Sequence, residues 1–195
     1  MTYSIIGSGN VGAALARQFA RSGIAVDIAN TRGPDTLAAL VAELGANVTA
    51  VALPKALEAD VVILAVPFRA HVAVAAARAD WTGTIIVDAM NAHGVAPGEL
   101  KGTASSALVA TAFRGAAVVK TFNQLPAKLL AAPPGEHGGH RVMFVSSDDA
   151  PASAAITALV ADLGFAPIAL GKLDEGGALL RLGGPLLLQN LIKLG

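Results

Sequence analysis

The stretch Thr2 to Arg32 constrains the fold more than any other part of the chain, because strand, glycine turn, helix and second strand follow one another in it without a spare residue. Tyr3 to Ile6 read as a strand, Gly7-Ser8-Gly9-Asn10-Val11-Gly12 follows at once, and Val11, Leu15 and Phe19 then recur at helical spacing. A lone G-x-G-x-x-G carries little weight. One that leaves a strand and opens a helix has the context of a dinucleotide-binding turn. In that context Gly7 permits the tight turn, Gly9 offers no side chain to keep a pyrophosphate off the backbone, and Gly12 lets helix and strand approach closely. Ser8, Asn10 and Val11 complete the expected contact surface, with the N–H groups at the helix start facing phosphate oxygens.

Gly23 suits a left-handed helix end, and Ala25 to Ala29 read as the second strand. Its carboxyl end is the next informative place. NAD-binding units usually carry an acid here that takes the ribose hydroxyls. This chain has Asn30-Thr31-Arg32 instead, an amide, a hydroxyl and a guanidinium. Such a donor-rich group suits a 2′-phosphate, since Arg32 can make charge-assisted bonds worth roughly 1.5–3 kcal/mol each. The expected dinucleotide is therefore NADP(H). A register three residues earlier would make Asp27 the acid of an NAD-type pocket, and the sequence leaves that alternative open.

Gly33-Pro34-Asp35 starts a helix whose buried stripe is Leu37, Leu40, Val41 and Leu44. Asn47 to Val51 reads as a short strand, Pro54 to Glu58 as a turn, and the apolar run Val61 to Val66 as a strand covered on both faces. Ala65, Val66 and Pro67 end it where open α/β sheets hold their ligands, so they join the expected cofactor site. His71 to Ala79 and Ser105 to Phe113 read as helices, and Thr84 to Val87 and Ala116 to Val119 as further strands. Past these strand ends, Asn91, Lys120 and Asn123 are offered to one crevice as substrate-binding candidates. Asp88 there could equally cap a turn. His93 and Lys120 are conceivable contacts for an anionic substrate.

Residues 131–140 read as a loop. Its Glu136, His137 and His140 invite a metal, but nothing there matches a known ligand spacing, and no metal site is expected. Arg141 to Val145 resumes as strand. Asp148-Asp149-Ala150-Pro151 opens a helix through Ile156, Leu159, Val160 and Leu163, and Phe165 to Leu170 is the last expected strand. Leucine dominates Leu173 to Gly195, with Gly183-Gly184-Pro185 as a break. That apolar helical tail would pack on its own sheet or, as favoured, meet a second copy in a homodimer. The expected organisation is a dinucleotide-binding unit over residues 1–170 and a tail over residues 171–195.

Fourteen basic residues balance fourteen acidic ones in a chain of 195 residues, which argues against nucleic-acid or anionic-membrane partners. The chain has no cysteine, so disulfides and thiolate chemistry are excluded. Mean hydropathy is high, +0.60, yet Gly, Pro or charge interrupts every apolar run before the roughly eighteen residues of a membrane span. No signal peptide is read at the start. A cytoplasmic protein acting on a small molecule is the expectation.

Four stretches together carry a resemblance: Gly7 to Gly12, Asn30-Thr31-Arg32-Gly33-Pro34-Asp35-Thr36-Leu37, Ala59 to Pro67, and Val119-Lys120-Thr121-Phe122-Asn123. The chain resembles the NADPH-dependent coenzyme F-420 reductase family over nearly its whole length, including Gly183-Gly184-Pro185-Leu186. The resemblance implies an α/β Rossmann-type fold, doubly wound around a mostly parallel sheet, with a small C-terminal helical extension. It further implies NADP(H) held through its 2′-phosphate by Thr31 and Arg32, and hydride exchange with a deazaflavin, coenzyme F-420, or a flavin-like acceptor. Such transfer between stacked rings needs little acid or base help, and no catalytic acid is assigned. Two alternatives stay open. One is an NADP-dependent reductase of a small imine or carbonyl, with Lys120 as proton donor; the other is a non-catalytic NADP(H) sensor.

Overall fold

The apolar runs become strands of one sheet in the computed structural model, which describes residues 1–96, 99–100 and 104–195. Strands β1 (Tyr3–Ile6), β2 (Val26–Ala29), β3 (Val48–Ala50), β4 (Val61–Leu64), β5 (Ile85–Asp88) and β6 (Ala117–Lys120) are mutually parallel, in spatial order β3-β2-β1-β4-β5-β6. The order reverses between β1 and β4. That reversal leaves a crevice at the carboxyl ends of both strands, the usual ligand position in such sheets.

Alternation along the strands divides the core into two layers. Ile5, Ile63, Val87 and Val119 face Leu15 and Phe19 of helix α1 (Asn10–Arg21). Ile6, Leu64, Ile86 and Val118 face the other way, onto Leu57, Trp81, Val109 and Phe113. This is a Rossmann-type, doubly wound α/β fold. Pro34–Leu37 forms a 3₁₀ turn before α2 (Ala38–Leu44), where of the expected stripe only Leu37 is fully buried. The expected turn at Pro54 is one helical turn, α3 (Leu53–Ala56). Helices α4 (His71–Ala76), α5 (Ser105–Ala112) and α6 (Ala127–Ala131) follow, all short.

The last third departs further from expectation. Residues 131–140 are no plain loop: β7 (Gly135–Glu136) and β8 (Gly139–Ser147) form an antiparallel hairpin. His137 (φ 50°) and Gly138 (φ 78°) make its two-residue turn, both left-handed as a tight hairpin demands. Strand β8 runs antiparallel to β6 and ends the parallel order. Helix α7 (Ala150–Asp162) opens as read, with the Asp149 carboxylate accepting from the Ala152 N–H at 2.8 Å. Strand β9 (Ala166–Ala169) then lies parallel to β8.

The tail holds one helical turn, α8 (Gly176–Leu179), and an edge strand, β10 (Ile192–Leu194), antiparallel to β8. A continuous apolar helix is ruled out by Gly183 (φ 78°) and Leu188 (φ 64°), both left-handed. Leu180 is fully buried against Val142, Phe144 and Ala166, so part of the tail belongs to its own sheet. Leu179, Leu182, Leu188, Leu191 and Leu194 stay exposed, by 40–66%.

Candidate functional site

Small residues shape the crevice floor. Gly7 has φ +108°, and a Cβ there would stand 2.3 Å from the Ala65 carbonyl oxygen. At Gly12 a Cβ would come within 1.9 Å of the Gly7 carbonyl oxygen. Both glycines are therefore demanded by the protein itself. Gly9 differs, since a Cβ there meets nothing within 4 Å. The space above it is open, as a backbone that is to receive a pyrophosphate requires. Gly9 caps α1 without a side-chain hydrogen bond, and the first turn carries no acid. Its N–H groups, beginning near Asn10 and Val11, keep their positive end free for an anion.

The end of β2 is tied to this turn. Ile6 lies opposite Ala29 in register, and the Asn30 amide donates to Ser8 Oγ at 2.9 Å and to Thr36 Oγ1 at 3.0 Å. Asn30 Oδ1 accepts the Arg32 backbone N–H at 2.9 Å, which fixes the bend carrying Thr31 and Arg32. Both of these side chains are exposed, and among the described residues the Arg32 guanidinium has no ion-pair partner. Asp27 pairs in register with Ser4 inside the strand. The residue level with the glycine turn is thus Asn30, and the donor set present fits an NADP 2′-phosphate better than a bare ribose.

On the other side of the crevice, Ala65 donates its N–H to Ile6 at 2.9 Å, while Val66 is half-buried and Pro67 exposed. Arg69, just beyond, bridges to Glu99 at 2.8 Å, joining the segments that follow β4 and β5. The Glu99 carboxyl is held below its usual range by the Ala96 N–H and then by Arg69.

Of the three substrate candidates, two are not open to a ligand. Lys120 is 1% exposed and pairs with the fully buried Asp88 at 3.1 Å, while its ammonium also donates to the Met90 carbonyl. Asn123 is 4% exposed; its amide donates to Asn91 Oδ1 at 3.0 Å and to the Leu180 carbonyl at 2.7 Å. Only Asn91 is partly exposed, and it donates back to the Asn123 carbonyl at 2.9 Å. Thr36, Ser106 and Leu180 were not singled out from the sequence. Ser106 donates to Asp88 at 3.2 Å. Asp88 lies directly opposite Lys120 in the β5–β6 register, so opposite charges closing two neighbouring apolar strands were the available signal.

His93 is exposed, with its backbone N–H on the Asn91 carbonyl. His137 occupies the hairpin turn, Glu136 pairs with the buried Arg141 at 2.7 Å, and His140 Nδ1 lies 2.8 Å from the Gly164 carbonyl oxygen. Among the described residues no group of three His, Asp or Glu side chains could hold a metal. Nor is any helix there long and apolar enough to cross a membrane.

Residues 2–92 match the family described as NADP oxidoreductase, coenzyme F420-dependent. A crystal structure of the hypothetical protein SMa0349 from Sinorhizobium meliloti is 44% identical, with TM-score 0.95 over 99% of this chain and 96% of that one. One from Arthrobacter sp. FB24, provisionally named an F420-dependent NADP-reductase, is 28% identical with TM-score 0.71, over 89% of this chain and 86% of that one. Metalloreductase STEAP3 of Rattus norvegicus is 32% identical over 174 residues, or 87% of this chain. The chain spans only 33% of that curated relative's length. An imine reductase from Aspergillus terreus, solved with NADPH4, shares the fold at 23% identity and TM-score 0.67, over 91% of this chain and 57% of that one. The stretch that holds the glycine turn and the donor-lined end of β2, residues 2–92, thus belongs to the family of NADP oxidoreductases described as coenzyme F420-dependent.

Proposed function

We propose that this NADP(H)-dependent oxidoreductase passes a hydride from nicotinamide to a small organic acceptor with an electron-poor double bond, an imine in the first instance. The observation that carries the cofactor half is the pocket of Asn30, Thr31 and Arg32, built from donors at the position where an acid would select NAD. When bound, the reduced cofactor supplies the hydride. Arg32 and Thr31 would hold its 2′-phosphate, the backbone at Ser8 to Val11 its pyrophosphate, and Ala65 to Pro67 would line its path toward Asn91.

The choice of acceptor follows from protons. Lys120, the sequence-based candidate for a donor, is buried in its pair with Asp88, and reduction of a carbonyl needs an acid within reach. An imine that arrives protonated needs none. A second reading has its own support: the family description and the Arthrobacter relative both name coenzyme F420, and ring-to-ring hydride transfer makes equally little use of a protein acid. A homodimer formed through the exposed tail leucines is part of the same proposal.

Purified protein with NADPH and a panel of cyclic imines, carbonyls, flavins and a deazaflavin separates these readings. Imine-dependent NADPH oxidation is the expected result. Oxidation by deazaflavin or flavin alone would replace the imine reading with the second. Tight NADPH binding with no turnover on any acceptor would make the protein a sensor rather than an enzyme.

A further inference from the structure

We propose that Lys120 and Asn123 are positioning residues, which act on hydride transfer through Asn91 and not by touching substrate. This rests on the reductase reading above. Met90 is gripped at both of its backbone polar groups: its N–H donates to Asp88 Oδ1 at 3.0 Å, and its carbonyl accepts from the Lys120 ammonium. Asn91 is the next residue, so the ion pair sets where its Cα stands. Asn123 then sets the side chain, its amide donating to Asn91 Oδ1 at 3.0 Å while its backbone carbonyl accepts from the Asn91 amide at 2.9 Å.

Asn123 is itself held from two directions. Its amide also reaches the carbonyl of the fully buried Leu180 in the tail, and Phe122 immediately before it takes φ 61°. A large side chain in that region is strained, and such strain persists where the surroundings over-determine the conformation. A buried ion pair is a poor source of stability, since desolvation offsets the attraction. What Lys120 and Asp88 do secure is a fixed backbone at Met90. In the chain of contacts from α5 through Ser106, Asp88, Lys120, Met90, Asn91 and Asn123 to the tail, Asn91 is the partly exposed member. Hydride transfer is sensitive to placement, with a displacement of about 1 Å costing on the order of a hundredfold.

The test compares wild type, Lys120→Met and the double variant Asp88→Asn/Lys120→Met. The double variant removes both buried charges yet keeps an acceptor for the Met90 N–H, so it recovers stability without recovering the grip on the Met90 carbonyl. The readouts are NADPH affinity, the single-turnover rate with the acceptor found active, and the side-chain amide resonances of Asn91 and Asn123. In both variants we expect NADPH affinity within about twofold of wild type, a rate lowered about ten- to a hundredfold, and displaced Asn91 resonances. A double variant that is stable and reacts at the wild-type rate would show a merely structural pair and overturn the proposal. So would unmoved Asn91 resonances in Lys120→Met. If wild type binds no NADPH, the reductase reading fails by itself, and the resonances of the ligand-free variants still decide the positioning role.

Discussion

Arg32 and the three glycines divide the labour of the glycine turn's neighbourhood, and single substitutions can tell them apart. Arg32→Ala should weaken NADP binding by about one to two orders of magnitude and leave NAD nearly unchanged; isothermal titration showing equal losses would remove the phosphate assignment. Gly9→Val should fold with near-wild-type thermal stability, because beyond its chain neighbours nothing lies within 4 Å of a Cβ there, yet lose both dinucleotides. Gly12→Ala should behave oppositely: its methyl meets the Gly7 carbonyl oxygen, so the loss would appear first in the melting curve. The close packing at Gly7 and Gly12 was legible from spacing and context alone. The burial of Lys120 was not, because it depends on Asp88 in a neighbouring strand 32 residues away in sequence. A residue's position at a strand end says that it is near the crevice, not which way its side chain has turned.

Elements were legible where a local pattern settles them, as in α1, α7 and the apolar runs of β4, β5 and β6. They were illegible where pairing partners decide. Residues 131–140 carry Gly, Pro and His in proportions typical of a loop, and the pairing of Gly135 with His140 and of Glu136 with Gly139 makes them a hairpin. His137 holds a left-handed conformation there that glycine adopts without strain. His137→Gly should therefore raise stability by about 0.5–1 kcal/mol, read from the urea midpoint. A clear fall would mean that the imidazole contributes a contact beyond the turn. The tail misled for the complementary reason. Its leucines suggested a helix, but their spacing serves a buried contact at Leu180 and an edge strand at Ile192–Leu194.

For the whole molecule, the tail is part of the sheet's own packing, with Leu180 buried against β8 and β10 paired along it. Removal of residues 183–195 takes β10 off β8 and deprives the Gln124 carbonyl of the Leu188 N–H that donates to it at 2.7 Å. Truncation there should give aggregated or strongly destabilised protein on size-exclusion chromatography; a truncated form as stable as the full chain would strip the tail of its structural part. The exposed leucines test the dimer separately. Light scattering of the double variant Leu188→Asp/Leu191→Asp should report a monomer where the wild type gives twice that mass, and unchanged mass would place any interface elsewhere.

The reversal of β8 against β6 has a temporal meaning. Everything proposed for holding the dinucleotide comes from β1 to β4 and the turns after them, whereas Asn123 follows β6 and its partner Leu180 emerges only after the sheet has changed direction at β8. Chains fold from the N-terminus as they leave the ribosome. A nascent chain of this protein would hold the parts of its nucleotide grip before it had assembled anything to do with the hydride.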